Sequence, residues 1–321
     1  MIFSFYRILN SQTIISQGKP VAEIFTDFHY CINDTSKTTG FGITRAHLGY
    51  NYTPDGDFSA LIMLNIGTPE DLADGSVPKR YAFFREASIA YKKAKLTVNF
   101  GMVSTRYEDF QQGFLGKRYL CPEYQAAYGY GSVADLGVVV DYRLSDLLKF
   151  DISLLNGKGY TNVQVDNSLK PAVGLNISTP NNIFIRLYGD LMKTQGVLQN
   201  TLIGFAGFKN SIFGIGVEGS HKTSLDLIKG HDVWGLSSTA SIFLSKKTEL
   251  FARYDYAASV KVPEEVLHWD YVKDATYFIG GIQRNLNEFL LIALNYRRTN
   301  PYAPGKQTTN AIYINARFRF S

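Results

Sequence analysis

Apolar and polar side chains alternate with a period of two over most of this sequence, in short runs separated by turn residues. Over residues 21–30, Ile24 and Phe28 fall on one side of an extended chain, and Glu23 and Asp27 fall on the other. A period of two places successive side chains on opposite faces of a β-strand. Each such run therefore predicts a strand with one apolar and one polar face, and the chain as a whole predicts an all-β fold.

About sixteen runs of this kind follow one another along the chain. They are residues 21–30, 45–52, 58–65, 84–91, 96–101, 134–142, 150–156, 172–178, 183–190, 202–208, 213–220, 234–244, 250–256, 276–283, 290–297 and 311–320. Tight turns (TPDGD, KKAK, SDLLK, TPNN, KNS, SKKT, NLNE) alternate with longer loops between them. An even number of strands, with short turns on one rim and longer loops on the other, is typical of a transmembrane antiparallel β-barrel. A soluble β-sandwich has no reason to alternate so regularly.

The domain organisation follows from the same pattern. We predict an N-terminal lead or residual signal segment over residues 1–20 and one barrel domain over residues 21–321. No apolar run reaches the roughly 18 residues that a transmembrane helix needs. Because hydrocarbon offers no water to an unpaired strand edge, the first strand near Val21 should pair with the last strand near Phe320.

The longest segment that does not read as a strand covers residues 104–133. A loop of this length is usually functional or disordered, and its many Phe and Tyr residues argue against disorder. It occupies the third place on the long-loop rim, which we expect to face outside, with the short turns on the periplasmic side. We predict that it folds into the barrel and sets the width and charge of a pore, through Arg106, Glu108, Asp109, Lys117, Arg118 and Glu123.

Alternation also places many charged side chains on the inward face. The basic ones are Arg45, Arg186, Arg253, Arg297, Arg317 and Arg319, and the acidic ones include Glu23, Asp27, Asp135, Asp141, Asp151, Asp190, Glu218 and Asp255. Rings of basic side chains favour anions in a pore. Since the acids roughly balance the arginines, a weakly selective pore and an anion-preferring one are both open. The net charge of +5 is not clustered, so no nucleic-acid partner is expected.

Small residues and cysteines give two further hypotheses about the loop. Gly101, Gly137, Gly174, Gly214 and Gly216 face inward, where they would let the loop lie close to the wall, or they are simply tolerated there. Cys31 and Cys121 are the only cysteines, and a disulfide between them would fasten the loop to the wall. Sequence alone does not give the geometry that such a bond requires.

Four segments resemble a known family. The run FHYCINDTSKTTGFGITRAHLGYNYTPDGDFSALIMLNIG resembles the N-terminal hairpins of bacterial outer-membrane porins related to the phosphate-selective porin O and P group. FLGKRYL, SVADLGV and NGKGY look like further landmarks of those proteins, and the likeness extends over residues 21–320. The resemblance implies a sixteen-stranded, trimeric porin of a Gram-negative outer membrane whose third long loop narrows the channel. Such barrels usually end on an aromatic residue that the assembly machinery reads, whereas here Phe320 is followed by Ser321.

These patterns predict a passive diffusion channel for small hydrophilic solutes. A more specific form of this prediction is a channel that prefers anions such as phosphate. The expected partners are the lipid bilayer, lipopolysaccharide, two further copies of the chain and, through the last strand, the barrel assembly machinery. No enzyme activity, cofactor or metal is expected. The alternatives are an adhesin or receptor, and a barrel enzyme such as a phospholipase. The consecutive Ser220 and His221 would point to opposite faces, which disfavours the enzyme.

Overall fold

Sixteen antiparallel strands, each hydrogen-bonded to its neighbours in the chain, close into a barrel in the computed structural model. The structure describes residues 18–33, 39–67, 81–263 and 266–320. Most of the predicted lead segment (residues 1–17) and residues 68–80 of the predicted second long loop lie outside these ranges. The strands are β1 Gly18–Cys31, β2 Gly40–Asp55, β3 Phe58–Gly67, β4 Tyr81–Lys93, β5 Leu96–Ser104, β6 Ala134–Arg143, β7 Leu148–Leu155, β8 Lys170–Ser178, β9 Ile183–Thr194, β10 Val197–Lys209, β11 Phe213–Thr223, β12 Val233–Phe243, β13 Thr248–Ser259, β14 Ala275–Asn285, β15 Leu290–Pro301 and β16 Thr309–Phe320.

The barrel is closed by the pairing of β1 with β16, as the sequence predicted. Their register runs without a break from Ala22 opposite Phe320 to Cys31 opposite Ala311. Every strand therefore has a hydrogen-bonded neighbour on both sides. Closure of this kind satisfies the backbone N–H and C=O groups that an open edge would leave without partners in hydrocarbon.

The two faces of the wall differ as the alternating pattern predicts. On β16, Ile312 and Ile314 are 42% and 54% exposed, whereas Asn315 is 1% exposed. Large apolar side chains cover the outer face on the other strands as well, for example Ile62 on β3 and Phe100 on β5. An outer surface of this kind suits lipid, and the charged and polar side chains are left to face the interior.

The connections between strands confirm all seven predicted tight turns but correct one of the predicted long loops. A longer loop was expected over residues 191–201, and that prediction is wrong. Instead β9 and β10 both extend and are joined by Gln195 and Gly196 alone. Both residues have positive φ, 45° and 84°, which is the backbone requirement of the two-residue turn that matches the twist of a hairpin.

The segment between β5 and β6 contains two helices, α1 (Arg106–Leu115) and α2 (Tyr124–Ala127), and a 3-10 helix (Leu225–Leu227) lies between β11 and β12. Helix α1 ends at Gly116, whose φ of 65° is the left-handed conformation that glycine adopts at low cost. Among the helices of the described residues, none combines the length and the hydropathy needed to cross a membrane.

Replacing Ile152 by Arg tests which face of the wall meets lipid. Ile152 lies in the middle of β7 and is 62% exposed on the outer face. We expect Ile152→Arg to lower the free energy of unfolding from lipid vesicles by about 2–4 kcal/mol, measured by reversible urea unfolding. The control is Ser88→Arg, which faces inward opposite Gly101 and should cost little. Equal losses in both variants would contradict the assignment of the faces.

Candidate functional site

Loop 3, which we define as residues 105–133, crosses the barrel interior. It starts at the end of β5 and returns at the start of β6, yet it is bonded to strands on the opposite side of the ring. The Tyr119 hydroxyl donates to Gln283 Oε1 on β14 at 2.8 Å. The Tyr124 hydroxyl donates to the Tyr256 carbonyl on β13 at 3.1 Å. A loop with both ends on one wall and contacts on the far wall must pass through the lumen.

The base of loop 3 is held closed where it leaves the wall. The Thr105 and Tyr107 hydroxyls each donate to the Ser132 carbonyl at 2.8 Å. The Thr105 amide donates to the Val133 carbonyl at 3.1 Å, which joins the first residue of the loop to its last. Helix α1 begins at Arg106, directly after Thr105, so these bonds fix the direction in which the helix enters the barrel.

Aromatic side chains fasten the middle of loop 3 to the wall at β9, β10 and β11. The Phe114 ring packs against Phe184 and Phe205, with ring centroids 5.7 and 4.9 Å apart. It lies over Gly207 and Gly216, where an added Cβ would come within 2.6 and 2.8 Å of the ring. Any larger residue on that part of the wall would displace Phe114, so the loop depends on these two glycines.

The hypothesis that inward glycines accommodate the loop is correct for Gly216 among the five predicted residues. Gly174 makes room for the Arg186 side chain, and an added Cβ at Gly101 or Gly137 would meet a strand carbonyl. Gly207 and Gly235, which the sequence reading missed, do accommodate loop side chains, with Tyr124 over Gly235. Alternation already placed both glycines inward, but the aromatic that covers each one depends on the path of the loop.

Three of the predicted constriction residues, Arg106, Asp109 and Lys117, take part in ion pairs near the ends of α1. The Arg106 guanidinium contacts carboxylate oxygens of Asp141 on β6 and Asp109 on α1, both at 2.9 Å. The Lys117 ammonium pairs with Glu249 on β13 and donates to Ser241 Oγ at 2.9 Å. Both cations therefore attach loop 3 to the wall, and their charge is largely offset by adjacent carboxylates.

Three other predicted constriction residues form a buried cluster inside loop 3. Glu108 and Glu123 are 1% and 3% exposed. The Arg118 guanidinium lies 3.7 Å from a Glu108 oxygen and 3.3 Å from a Glu123 oxygen. Neither carboxylate oxygen of Glu108 has a hydrogen-bond partner among the described residues. Burial, together with the adjacent Glu123 carboxylate, raises the pKa of Glu108 well above its ordinary value.

Two of the predicted wall arginines, Arg186 and Arg253, are paired with acids. Arg186 is fully buried on β9 and forms a bidentate pair with Asp151 on β7. Arg253 on β13 pairs with Asp255 at 2.7 Å and also donates to the Pro122 carbonyl of loop 3. Arg186 therefore links two strands of the wall, and Arg253 links the wall to loop 3.

The other wall arginines lie around β1 and β16. The Arg297 guanidinium lies 3.7 Å from the centre of the Tyr313 ring, and that of Arg317 lies 5.9 Å from the Tyr119 ring. Arg319 is exposed near the turn end of β16.

Polar groups lie close to the predicted wall acids. Asp27 Oδ1 lies 2.8 Å from His29 Nδ1, and Glu23 Oε2 lies 3.9 Å from His47 Nδ1. Asp135 accepts from the Gly157 amide at 2.8 Å. Glu218 accepts from Gln125 of loop 3 at 2.9 Å.

A cavity of about 500 Å³, which we call the vestibule, lies between loop 3 and the long-loop rim. Its lining includes residues 129–133 of loop 3, residues 157–162 after β7 and residues 225–227 after β11. The charged residues that line it are Arg45, Arg118, Lys158, Lys170, Lys222 and Asp226. Among the described residues, five basic side chains and one acidic side chain therefore line this space.

The sequence reading recognised Arg45 and Arg118 but missed the three lysines of the vestibule. Lys170 and Lys222 occupy inward positions at the loop ends of β8 and β11, so alternation would have found them. Lys170 and Lys222 line the same cavity because of the order of strands around the barrel and the path of loop 3. Lys158 lies in a loop, where alternation carries no information.

The structure corrects the hypothesis of a disulfide between Cys31 and Cys121, since no such bond is present. Cys121 lies inside the barrel, with its Sγ 3.6 Å from Arg253 Nη1 in the middle of β13. Cys31 lies at the loop end of β1, opposite Ala311. A disulfide needs Cα atoms within about 7 Å, and the two cysteines lie at different depths of the barrel.

The fold is that of outer-membrane β-barrel proteins. The sequence matches no protein-family profile and no curated protein. Its structure is similar to OmpF of Salmonella typhi in complex with daunomycin, with a TM-score of 0.73, 10% identity and coverage of 95% of this chain and 98% of that one. An anion-selective porin from Comamonas acidovorans gives a TM-score of 0.67 at 11% identity, covering 95% and 100% of the two chains. A trimer form of OmpT from Vibrio cholerae gives 0.62 at 12% identity, covering 94% and 99%.

Adding a side chain under Phe114 should detach loop 3. A Gly216→Val change would overpack the contact with the Phe114 ring at a cost of about 1–3 kcal/mol. We therefore expect trypsin to cut after Lys117 or Arg118 at least about fivefold faster, because the detached loop is populated more often. The control is Gly204→Val, which points into open space on the outer face. Equal cleavage rates in both variants would show that Gly216 does not position the loop.

The raised pKa of Glu108 should make the attachment of loop 3 dependent on pH. In the attached loop, Glu108 has a raised pKa and keeps its proton. In the detached loop, Glu108 has an ordinary carboxyl pKa and loses the proton above it. Glu108 therefore favours attachment at low pH, and this contribution is lost as the pH rises toward the raised pKa. We expect the ratio of trypsin cleavage rates, wild type over Glu108→Gln, to increase from about pH 5 to about pH 9. Taking the ratio at each pH removes the pH dependence of trypsin itself, and a constant ratio would contradict this assignment.

Proposed function

We propose that this chain is a porin of a Gram-negative outer membrane, which lets small hydrophilic solutes diffuse passively. The observation that carries the proposal is a closed wall with apolar side chains outside and charged side chains inside. Loop 3 crosses that interior and is fastened to the far wall by hydrogen bonds, ion pairs and aromatic contacts. A barrel of about sixteen strands is wide enough to leave an aqueous channel, and the loop narrows it.

Anions are the favoured solutes, because basic side chains outnumber acidic ones in the described lining of the vestibule and some of them have no carboxylate partner. Arg45 and Lys222 have no carboxylate within 4.0 Å among the described residues. The Lys170 ammonium has only Asp135, at 3.9 Å. A site lined by one sign of charge raises the local concentration of the opposite ion. Small anions, of which phosphate is one, should therefore enter more readily than cations of the same size.

The partners that we propose are membrane lipids, further copies of the chain and the barrel assembly machinery. The apolar outer wall fits the hydrocarbon of the bilayer and of lipopolysaccharide, and it offers surface for a homotrimer. The trimer form of the Vibrio cholerae protein supports this oligomeric state. The last strand, which closes the barrel against β1, is the segment that we expect the assembly machinery to read.

An enzyme such as a barrel phospholipase receives no support from the one adjacent Ser and His pair. Ser220 pairs across the sheet with Ile203, which is 3% exposed, and so faces inward. His221 pairs with Leu202, which is 61% exposed, and so faces outward. The two side chains therefore lie on opposite sides of the wall, where neither can activate the other.

Planar-bilayer recording of the purified protein tests the proposal. We expect ohmic conductance, and a reversal potential in a KCl gradient that shows preference for chloride. Replacing Arg45 by Gln should lower the chloride-to-potassium permeability ratio about two- to fivefold, because one charge acts with about 1 kcal/mol or less on an ion at about 4 Å in water. The control is Lys193→Gln, which removes the same charge from the outer face of β9.

The outcomes separate the channel from its selectivity. Absence of conductance from folded, heat-modifiable protein would refute the channel. Conductance with a reversal potential unchanged by Arg45→Gln, or changed equally by Lys193→Gln, would leave the channel and refute the role of the vestibule charge.

A further inference from the structure

Three aromatic residues are in the described lining of the vestibule, and two of them, Phe83 and Tyr160, are less buried than the third, Tyr130. Phe83 lies on β4 opposite Asn65 of β3, at an inward position, and Tyr160 belongs to the loop after β7. Their ring centroids are 5.6 Å apart, with an angle of 46° between the planes. Both are half-buried and both contribute to the lining of the cavity. They therefore present apolar surface to the solute space.

Packing of the barrel does not account for these rings. The buried apolar side chains of the described residues form four clusters, and neither Phe83 nor Tyr160 belongs to any of them. Other inward aromatic side chains of the strands, such as Phe205 and Phe251, are buried, whereas Phe83 is half-buried. An exposed aromatic pair inside a polar cavity costs hydration free energy, and contact with a ligand would recover it.

The loop that carries Tyr160 is held in place against loop 3. An added Cβ at Gly159, whose φ is 77°, would come within 2.6 Å of Ser132 Oγ, so the two loops approach closely there. The Arg85 guanidinium lies 5.8 Å from the centre of the Tyr160 ring. The backbone next to Tyr160 is thus close to loop 3, and the Tyr160 ring has Phe83 and Arg85 as neighbours.

Basic side chains surround the aromatic pair. Lys158 and Lys170 line the same cavity, and Asp226 is the one acidic residue in its described lining. The Lys158 ammonium pairs with Asp166 at 2.8 Å, whereas that of Lys170 is 3.9 Å from its nearest acid, Asp135. Lys170 therefore keeps the capacity to bind an acid group.

We propose that the vestibule binds organic anions that carry a planar aromatic ring. The ring packs against Phe83 and Tyr160, and the acid group is held by Lys170 and the surrounding positive charge. A cavity of about 500 Å³ is of the size that holds small organic molecules. This inference rests on the proposed function and specifies its solute: an inorganic anion would use the charges and leave the rings unused.

Inhibition of chloride current in planar bilayers tests the proposal. Benzoate, cyclohexanecarboxylate and acetate are added in turn to the side on which the long loops lie, and the concentration that halves the current is measured for each. All three carry one carboxylate, and the first two differ mainly in the flat aromatic ring. We expect benzoate to act at a concentration about fivefold lower than cyclohexanecarboxylate, and lower still than acetate.

Variants then assign the effect to residues. Tyr160→Leu should remove the advantage of benzoate over cyclohexanecarboxylate, and Lys170→Gln should weaken both. The control is Phe100→Leu, which replaces an aromatic residue 67% exposed on the outer face of β5 and should leave the advantage intact. Heat-modifiable migration on gels confirms that each variant is folded before it is tested.

The results distinguish this inference from the channel itself. Chloride current that benzoate and cyclohexanecarboxylate inhibit equally would overturn the aromatic site and leave the porin. An advantage of benzoate that survives in Tyr160→Leu would also overturn it. Protein that conducts no chloride would refute the proposed function, on which the inference rests.

Discussion

The fold depends on one requirement: every backbone N–H and C=O group in the hydrocarbon layer must have a partner within the protein. The pairing of β1 with β16 meets it, because it removes the two strand edges that sixteen strands in an open sheet would expose. Closure also separates the two faces of the wall. Side chains on one face contact lipid, and those on the other enclose a polar space that tolerates charges and an irregular loop. Loop 3 would carry unsatisfied backbone groups in lipid, and it is stable only inside such a space.

Within that space, most of the charge serves to hold the loop. Arg106, Lys117 and Arg253 each bind a carboxylate while they connect loop 3 to the wall. Truncating one partner of a buried pair costs several kcal/mol, about 3–5, since it leaves the other charge uncompensated. These pairs therefore determine where the loop lies and contribute little net field to a passing ion. The field comes from cations whose pairing is incomplete, and in the vestibule these include Arg45 and Lys170.

Alternation was enough to predict the strand number, the closure and the inward direction of the charged side chains, because each of these depends on a period of two and on local turn signals. The β9–β10 turn was mispredicted since Lys193 and Asn200, at the membrane edge, read as loop residues although both are in strands. The disulfide, the partners of Phe114 and the vestibule depend instead on the path of a loop of 29 residues between β5 and β6. No local pattern encodes that path, since several of its contacts join residues more than 90 positions apart, such as Phe114 and Lys209.

Paired and incompletely paired charges contribute differently to the selectivity of a pore. A tally of inward residues suggests a balanced lumen, because arginines and acids occur in similar numbers. The structure divides them by place: Arg186 with Asp151 and Arg253 with Asp255 form buried pairs within the wall, whereas the described lining of the vestibule has an excess of basic residues. A solute entering from the long-loop side meets that excess first, together with Phe83 and Tyr160. For the porin that we propose, selectivity should therefore be decided at the entrance, by charge and ring contact, and loop 3 should set the size limit further in.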